Sequence, residues 1–518
     1  MSSAPAPTRP DAHPSIAPPR RIGVNIRGAL GLVGTLVKWL ALAPLLPLAL
    51  ALGYGESPWP FVAAAAGTAA LGIALERIGG DRSEVVGFRE GFLVVSLTWV
   101  LAAAVGTIPY LLSGNPELER PIDAFFESMS GFTTTGSSIL TDVEALNRSM
   151  AMWRQFTQWI GGMGIIVLAL AVLPRLRIGG RQLMESELPG PEIDDLGTRI
   201  RQTAQRLWSL YVALTVMLVV ILATLGWTGV DDQLSLYEAV AHAFSTMPTG
   251  GFSTQPHSIA DFAPATQWVL IAFMILAGVN FALLYRTFVR RRVRSALRDE
   301  ELRLYAGLLV LGSGLLILQL LERELTGSDA AFRNGIFQAV SILTTTGFAT
   351  VDFTGWTTLA LMTIVALMFV GGSAGSTGGS IKVVRHLLLG RVLRRDLRTT
   401  VHPELVAPIR LNRIAVDERT LRAAVAFVLL YVGAFVVGAG IIAFDTALQG
   451  PDLRPITVMA VAATTLGNVG PAFGHAGPLA SFSEFSDIST GAMIALMWLG
   501  RLEIIPVVLL FTRQYWKP

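Results

Sequence analysis

The sequence predicts an all-α polytopic membrane protein: four pseudo-symmetric repeats around a central axis, preceded by two extra transmembrane helices. Three observations carry this expectation. Only 15% of the 518 residues are charged while 52% are hydrophobic, against about 25% charged in an average soluble domain. The apolar residues gather in runs of membrane-spanning length. Between those runs, four shorter apolar segments recur at intervals of roughly a hundred residues, each ending in a phrase rich in threonine and glycine.

The runs at 207–226, 267–284, 304–321, 423–444 and 490–511 each approach the ~20 residues a helix needs to cross a ~30 Å hydrocarbon layer. Placed along the whole chain, spans fall near 29–52, 58–76, 90–112, 152–174, 207–228, 267–285, 304–321, 357–391 (interrupted), 422–444 and 490–512, ten in all. Lysine and arginine test that placement. Of the 40 cations, 32 lie in alternate segments and only 6 in the segments between them. This is the positive-inside pattern, with both termini cytoplasmic. The same asymmetry explains the basic clusters without any nucleic-acid partner. Lys38, beside Trp39 near a span end, is expected to snorkel toward the interface. Residues 1–25, rich in proline and alanine and without periodicity, read as a disordered cytoplasmic tail.

Composition also excludes chemistry. There is no cysteine, and the six histidines show no metal-ligand spacing, which removes disulfides, thiolate catalysis and a Cys-ligated zinc. No nucleophile–base pair or metal cluster stands out, so the chain is not expected to be an enzyme. The glycine-rich run before Lys382 has Ile381 and Val383 where a phosphate loop needs glycine and Ser/Thr, so that motif fails.

After a two-helix unit at 26–80, the remaining spans pair into repeats at 81–180, 181–295, 296–400 and 401–518. Within each pair lies one short apolar segment, at 122–135, 236–249, 331–346 and 455–466. Such lengths suit re-entrant rather than spanning helices. All four fall on the arginine-poor side. Their closing phrases are GFTTTGSS at 131–138, MPTGGFST at 247–254, LTTTGFAT at 343–350 and ATTLGNVG at 463–470. Aligned on one glycine, the equivalent positions are expected to be Gly136, Gly250, Gly347 and Gly467. Irregular backbone at membrane depth must line a cavity or be buried in protein. Carbonyl rings there can replace the water shell of a dehydrated cation. No carboxylate ring occurs in the loops, which argues against a divalent ion. The candidate ion-binding residues are therefore Thr134, Thr135, Gly136, Thr249, Gly250, Thr345, Thr346, Gly347, Leu466, Gly467, Asn468 and Val469. Acidic residues of the outer segments, among them Glu117, Asp142, Asp231, Glu484 and Asp487, are solvated charges or a weak cation-concentrating mouth.

Two further features interrupt the spans. Gly371, Gly372, Gly375, Gly378 and Gly379 crowd one span, and at about 1 kcal/mol each against alanine they will not hold regular helix. The run is either a flexible gate or a close-packing kink. Arg501 sits inside another span, where a cation costs at least ~2.5 kcal/mol and marks a pathway or an interhelical ion pair. Glu503, two residues on, faces elsewhere and is not its natural partner.

These four loops, with WRQFTQWIGGMGIIVLALAVLP at 153–174, GGSAGSTGGSIK at 371–382 and GRLEIIP at 500–506, resemble the Trk/Ktr/HKT superfamily of potassium transporters, most closely its TrkH membrane subunits. The resemblance covers essentially everything from residue 26 onward. It implies four pore repeats around a pseudo-fourfold axis, with potassium held at the loop residues named above. It implies a gate formed by the glycine-rich intramembrane loop, with Arg501 as a positive barrier below the filter. It further implies a homodimer in a bacterial inner membrane and a separate cytoplasmic TrkA-like subunit. That subunit would bind ATP or NAD, so no cofactor is expected in this chain. Glycine in all four aligned positions goes, within the family, with potassium preference. Pro248 in loop two, and Leu466 and Asn468 in loop four, depart from the pattern. A sodium- or proton-coupled potassium symporter, and a sodium transporter of the same superfamily, are the alternatives. An inverted-repeat carrier fits less well, because the four units run in one direction.

Overall fold

The structure, a computed structural model, describes residues 23–80, 87–171, 196–291, 293–322, 327–449 and 453–517. Most of the expected tail at 1–25 and of the basic segment at 175–206 lies outside these. The regular secondary structure of the described residues is almost entirely helical; their one sheet is a two-stranded antiparallel hairpin, Arg410–Leu411 with Ile414–Ala415. The chain is a polytopic all-α membrane protein. Six helices among the described residues are long and apolar enough to cross a membrane, and the bent pair Pro264–Ala277 and Phe281–Phe288 makes a seventh candidate.

The first helix is broken near Pro44 into α1 (Ile26–Leu40) and α2 (Leu45–Tyr54), and packs on α3 (Trp59–Gly79). Small residues let these backbones touch: a Cβ on Gly79 would lie 2.4 Å from Gly31 Cα. Lys38 has a partner within its own chain. Its ammonium pairs with Glu76 of α3 at 2.6 Å, because the helix contact brings a carboxylate within reach.

Each repeat then runs outer helix, pore helix, loop, second helix. The outer helices are α4 (Phe88–Gly106), α7 (Leu196–Trp227), α11 (Glu300–Glu322) and α15 (Glu418–Gln449). The pore helices are α5 (Pro121–Phe132), α8 (Leu236–Thr246), α12 (Ser328–Leu343) and α16 (Pro455–Gly467), of 12, 11, 16 and 13 residues. At 1.5 Å rise per residue none spans a ~30 Å core. Their starts are written locally. Pro121 and Pro455 stand at N1, where the missing N–H costs nothing. Ser235 caps α8 by accepting from Glu238 N–H at 3.2 Å.

The second helices are α6 (Arg148–Ala171), α9 (Pro264–Ala277) with α10 (Phe281–Phe288), α13 (Thr358–Met368) with α14 (Val383–Val401), and α17 (Asp487–Arg501) with α18 (Ile505–Leu510). The sequence announces a break only in the third repeat. The structure breaks the second and fourth as well. In the second, Asn280 restarts the helix by accepting from Ala282 N–H at 2.8 Å and Leu283 N–H at 3.2 Å. In the fourth, Glu503 and Ile504 adopt φ of 57° and 62°. A glycine cluster signals an interruption; one Asn, or two left-handed residues held by tertiary contacts, does not. The carbonyls freed in the second repeat are satisfied by the third: Ser373 N–H donates to Gly278 O at 2.8 Å and Thr377 Oγ1 to Ala277 O at 3.2 Å.

Candidate ion pathway

All four pore helices end alike. The N–H groups of Thr135, Gly250, Thr346 and Val469 reach back to the carbonyls of Ser130, Ser245, Ser341 and Thr464 at 2.8–2.9 Å. The residues just before them, Thr134, Thr249, Thr345 and Asn468, are left-handed, with φ of 52°, 57°, 61° and 53°. The residues just after, Gly136, Gly251, Gly347 and Gly470, have φ of 85°, 78°, 85° and 114°. Those four glycines are the structural equivalents. The alignment read from the phrases holds in loops one and three, slips by one residue in loop two and by three in loop four. Gly250 occupies the position of Thr135, while Leu466 and Gly467 are the closing residues of α16. In these phrases glycine serves both helix end and loop, and only the back-reaching hydrogen bond tells them apart.

The four loops close a ring. A Cβ on Gly136 would lie 2.2 Å from Gly250 O, one on Gly251 2.0 Å from Thr346 O, one on Gly347 2.1 Å from Val469 O, and one on Gly470 2.9 Å from Thr135 O. Each glycine thus abuts the carbonyl of the residue preceding the glycine in the next loop, in the order one, two, three, four and back to one. Only glycine allows both the positive φ and this approach. All four glycines border a single cavity of about 580 Å³. The pore helices aim their carbonyl ends, the negative ends of their dipoles, at the same region.

Behind the ring, one register of the pore helices carries polar side chains that brace the loops. In α5 it is Glu127, fully buried, paired with buried Arg154 of α6 at 2.7 Å and accepting from Ile139 N–H at 3.0 Å. Arg154 also donates to Ser253 O of loop two at 3.3 Å, tying the first two loops together. In α8 it is His242, whose Nε2 lies 3.0 Å from Ser253 Oγ. In α12 it is Gln338, donating to Thr350 Oγ1 at 3.3 Å. The fourth helix has Val461 here. Loop four is held instead by Ser137 Oγ, which donates to Gly470 O at 2.8 Å, and by Asn468 Nδ2, which donates to Thr135 Oγ1 at 3.0 Å. Gln158 of α6 donates to Gly250 O at 2.7 Å and accepts from Phe252 N–H at 3.2 Å. Sequence reasoning missed Glu127, His242, Gln158 and the second role of Arg154. The signal lies in the polar residues set in apolar segments.

The acidic residues of the outer segments are mostly occupied. Asp231 accepts from Ala263 N–H at 2.8 Å, Asp487 pairs with Arg120, and Glu484, which borders the cavity, pairs with His475.

Directly beneath the ring lies the segment 371–382. Gly379 N–H donates to Thr345 Oγ1 at 2.7 Å, and Thr377 Oγ1 donates to Met247 O at 3.0 Å. A Cβ on Gly379 would lie 2.3 Å from Gly467 O, and one on Gly378 2.9 Å from Thr344 O. The segment therefore seats against the ends of the second, third and fourth pore helices. Gly371 N–H donates to Ile381 O at 2.9 Å, Gly372 O accepts from Val383 N–H at 3.2 Å, and Gly375 turns with φ of 72°. Arg501 completes the floor. It is 2% exposed, and donates through Nη1 to Thr377 O and through Nη2 to Gly161 O, each at 3.0 Å. Its partners are carbonyls rather than a carboxylate; Glu503 pairs with Arg385.

Fold and ring together define a membrane protein of four re-entrant loops converging on one axis. A family model described as "TrkH: Cation transport protein" matches residues 63–517, and the chain belongs to that family. The Trk system potassium uptake protein TrkH of Halomonas elongata is 33% identical, over 95% of this chain and 100% of its own. TrkH of Escherichia coli (strain K12) is 36% identical, over 83% of this chain and 86% of its own. Among solved structures, the potassium transporter TrkH from Vibrio parahaemolyticus superposes with a TM-score of 0.84 at 33% identity, over 95% of this chain and all of its own. These relatives are named as transporters, in line with the expectation that the chain is not an enzyme.

Proposed function

We propose that this chain takes up potassium through a central pore whose filter is the ring of Thr135, Gly250, Thr346 and Val469 carbonyls, spaced by Gly136, Gly251, Gly347 and Gly470. The closed order of contacts around the ring carries the reading. Uncharged carbonyls on four sides suit a monovalent ion that must shed and regain water quickly. Thr134, Thr249, Thr345 and Asn468 add oxygen-bearing side chains at the lower rim. The 371–382 segment is the gate and Arg501 its positive barrier: both stand in the axial path, and a buried guanidinium repels any cation that reaches it. The relatives' names as potassium uptake proteins support the same cargo.

The assembly is the one the family resemblance implies, and the basic face is in keeping with it. The protein works as a homodimer in the bacterial inner membrane, with both termini cytoplasmic and a TrkA-like subunit supplying nucleotide control. This chain itself holds no nucleotide. Arg391 pairs with Glu300 at 2.7 Å and Arg395 with Glu418. Arg394 and Arg398, one turn apart and exposed, form no ion pair among the described residues and make the docking edge. Reversal potentials in liposomes under separate potassium, sodium and proton gradients test the reading. Uniport predicts a voltage set by potassium alone. A reversal potential that follows sodium equally well would remove the selectivity, and one that shifts with the proton gradient would make the chain a symporter.

A further inference from the structure

Glu301 lies at the start of α11, 4% exposed, with no cation within ion-pairing distance among the described residues. One carboxylate oxygen accepts two backbone N–H groups, Ala374 at 2.6 Å and Val384 at 3.2 Å. One donor sits at the turn within the 371–382 segment, the other in the first turn of the helix that follows it. The neighbouring acids hold what comes next in the chain. Glu300 pairs with Arg391 of α14 and accepts from Asn412 N–H at 3.1 Å, while Asp299 accepts from Asn412 Nδ2 at 2.8 Å. Asn412 is the tip of the hairpin that follows α14. Three consecutive acids thus grip the segment, its helix and the hairpin beyond.

From this geometry we infer that Glu301 is a positioning residue that holds the 371–382 segment in its seated, pore-blocking place, and that Asp299 and Glu300 transmit hairpin and α14 movement to it. A buried carboxylate with no cation in ion-pairing contact is costly unless hydrogen bonds compensate. Here both compensating donors belong to the segment or its hinge. When the segment swings away, Glu301 loses them together, so its burial is tolerated only in the seated state. A group whose partners exist in one of two states biases the equilibrium toward that state. A pull on the cytoplasmic hairpin would reach the gate through three adjacent residues. The inference rests on the gate reading above.

Two substitutions remove the same hydrogen bond from opposite sides. Glu301→Met deletes the acceptor. Ala374→Pro deletes the main donor and suits its site: Ser376 N–H bonds back to Ser373 O and Gly375 has φ of 72°, a type II turn in which the residue before the glycine favours proline. Each is expected to raise potassium flux in liposomes about tenfold, the scale of one hydrogen bond to a charged group. The double variant should rise no further than the larger single one, and the potassium-to-sodium permeability ratio should stay at the parent value. Glu301→Gln, which keeps an acceptor oxygen, should return flux most of the way to the parent. A variant lacking Ser376 and Thr377 separates the two readings. If it conducts like the parent, the segment is not a gate. If it conducts faster and Glu301→Met multiplies that rate again, Glu301 does not act through the segment. Should Ala374→Pro purify as a monodisperse protein with parental flux, the inference is overturned even if Glu301→Met fails to fold.

Discussion

Asn468 stands where the other three loops carry threonine, and its amide does work that those hydroxyls do not. Thr133 and Thr135 pair within loop one at 2.7 Å, and Thr344 and Thr346 within loop three at 2.8 Å. Asn468 instead reaches across to Thr135 and back to Met497 O at 3.0 Å. Loop four is therefore fastened to its neighbours through side chains, whereas loops one and three are braced from their own pore helices. The glycine equivalence makes a discriminating prediction at this scale. Gly470→Ala puts a Cβ on a residue with φ of 114° and against Thr135 O, so the potassium-to-sodium permeability ratio should fall at least about tenfold, which a 1.4 kcal/mol loss accounts for. Gly467→Ala adds its methyl at a helix end, 3.1 Å from Met368 O, and should leave the ratio near the parent. Equal losses in the two would return loop four to the register read from its phrase. Arg154→Met leaves Glu127 buried without its cation, a loss of about 3–5 kcal/mol. A markedly lower unfolding temperature in detergent, measured beside an exposed control such as Arg398→Met, is the expected result.

The broken second helices are the elements that differ most from a plain bundle. In the second repeat the break frees the carbonyls of Ala277 and Gly278, and the 371–382 segment of the third repeat uses them as anchors. The break in the fourth repeat follows directly after Arg501, leaving it at the end of α17, where its guanidinium reaches two carbonyls from different repeats. Three interruptions thus meet beneath one ring. Shortening Arg501 to alanine removes both contacts and the barrier charge, so flux should rise while the permeability ratio holds, since no ring residue is touched. Parental flux in a monodisperse Arg501→Ala protein would make the arginine a structural tie and nothing more.

At the scale of the whole molecule, the basic side is not uniform. Arg391 and Arg395 are committed to carboxylates of their own chain, while Arg394 and Arg398 share one face of α14 with exposed Leu393 and Leu397. Charge with adjacent apolar surface suits a protein partner better than lipid headgroups alone. Reversing Arg394 and Arg398 to glutamate should abolish co-purification with the host's TrkA-like subunit. The same reversal at Arg391 and Arg395 should mainly disturb the local fold, seen as a lower unfolding temperature. Retained association after the first reversal would place the contact elsewhere, with anionic lipid the remaining claimant on these cations.

The sequence by itself determined the class of protein, the existence of four short apolar segments between the longer helices and the glycine-rich interruption. Each depends on composition, length or period, and these are local properties: a segment too short to span is too short in any fold. Gly136 and Gly347 were legible for the same reason, since each sits in an unambiguous TTTG phrase. Only the tertiary structure decided the rest. Gly251 and Gly470 replace Gly250 and Gly467 because register is set by a hydrogen bond back into the pore helix, which no phrase records. The helix breaks at Asn280 and Glu503, the pairing of Arg154 with Glu127 and of Lys38 with Glu76, and the grip of Glu301 on the segment below the ring all join residues distant in the chain. Their energetics depend on which buried donor meets which acceptor, and that is fixed only when the four repeats pack around their axis.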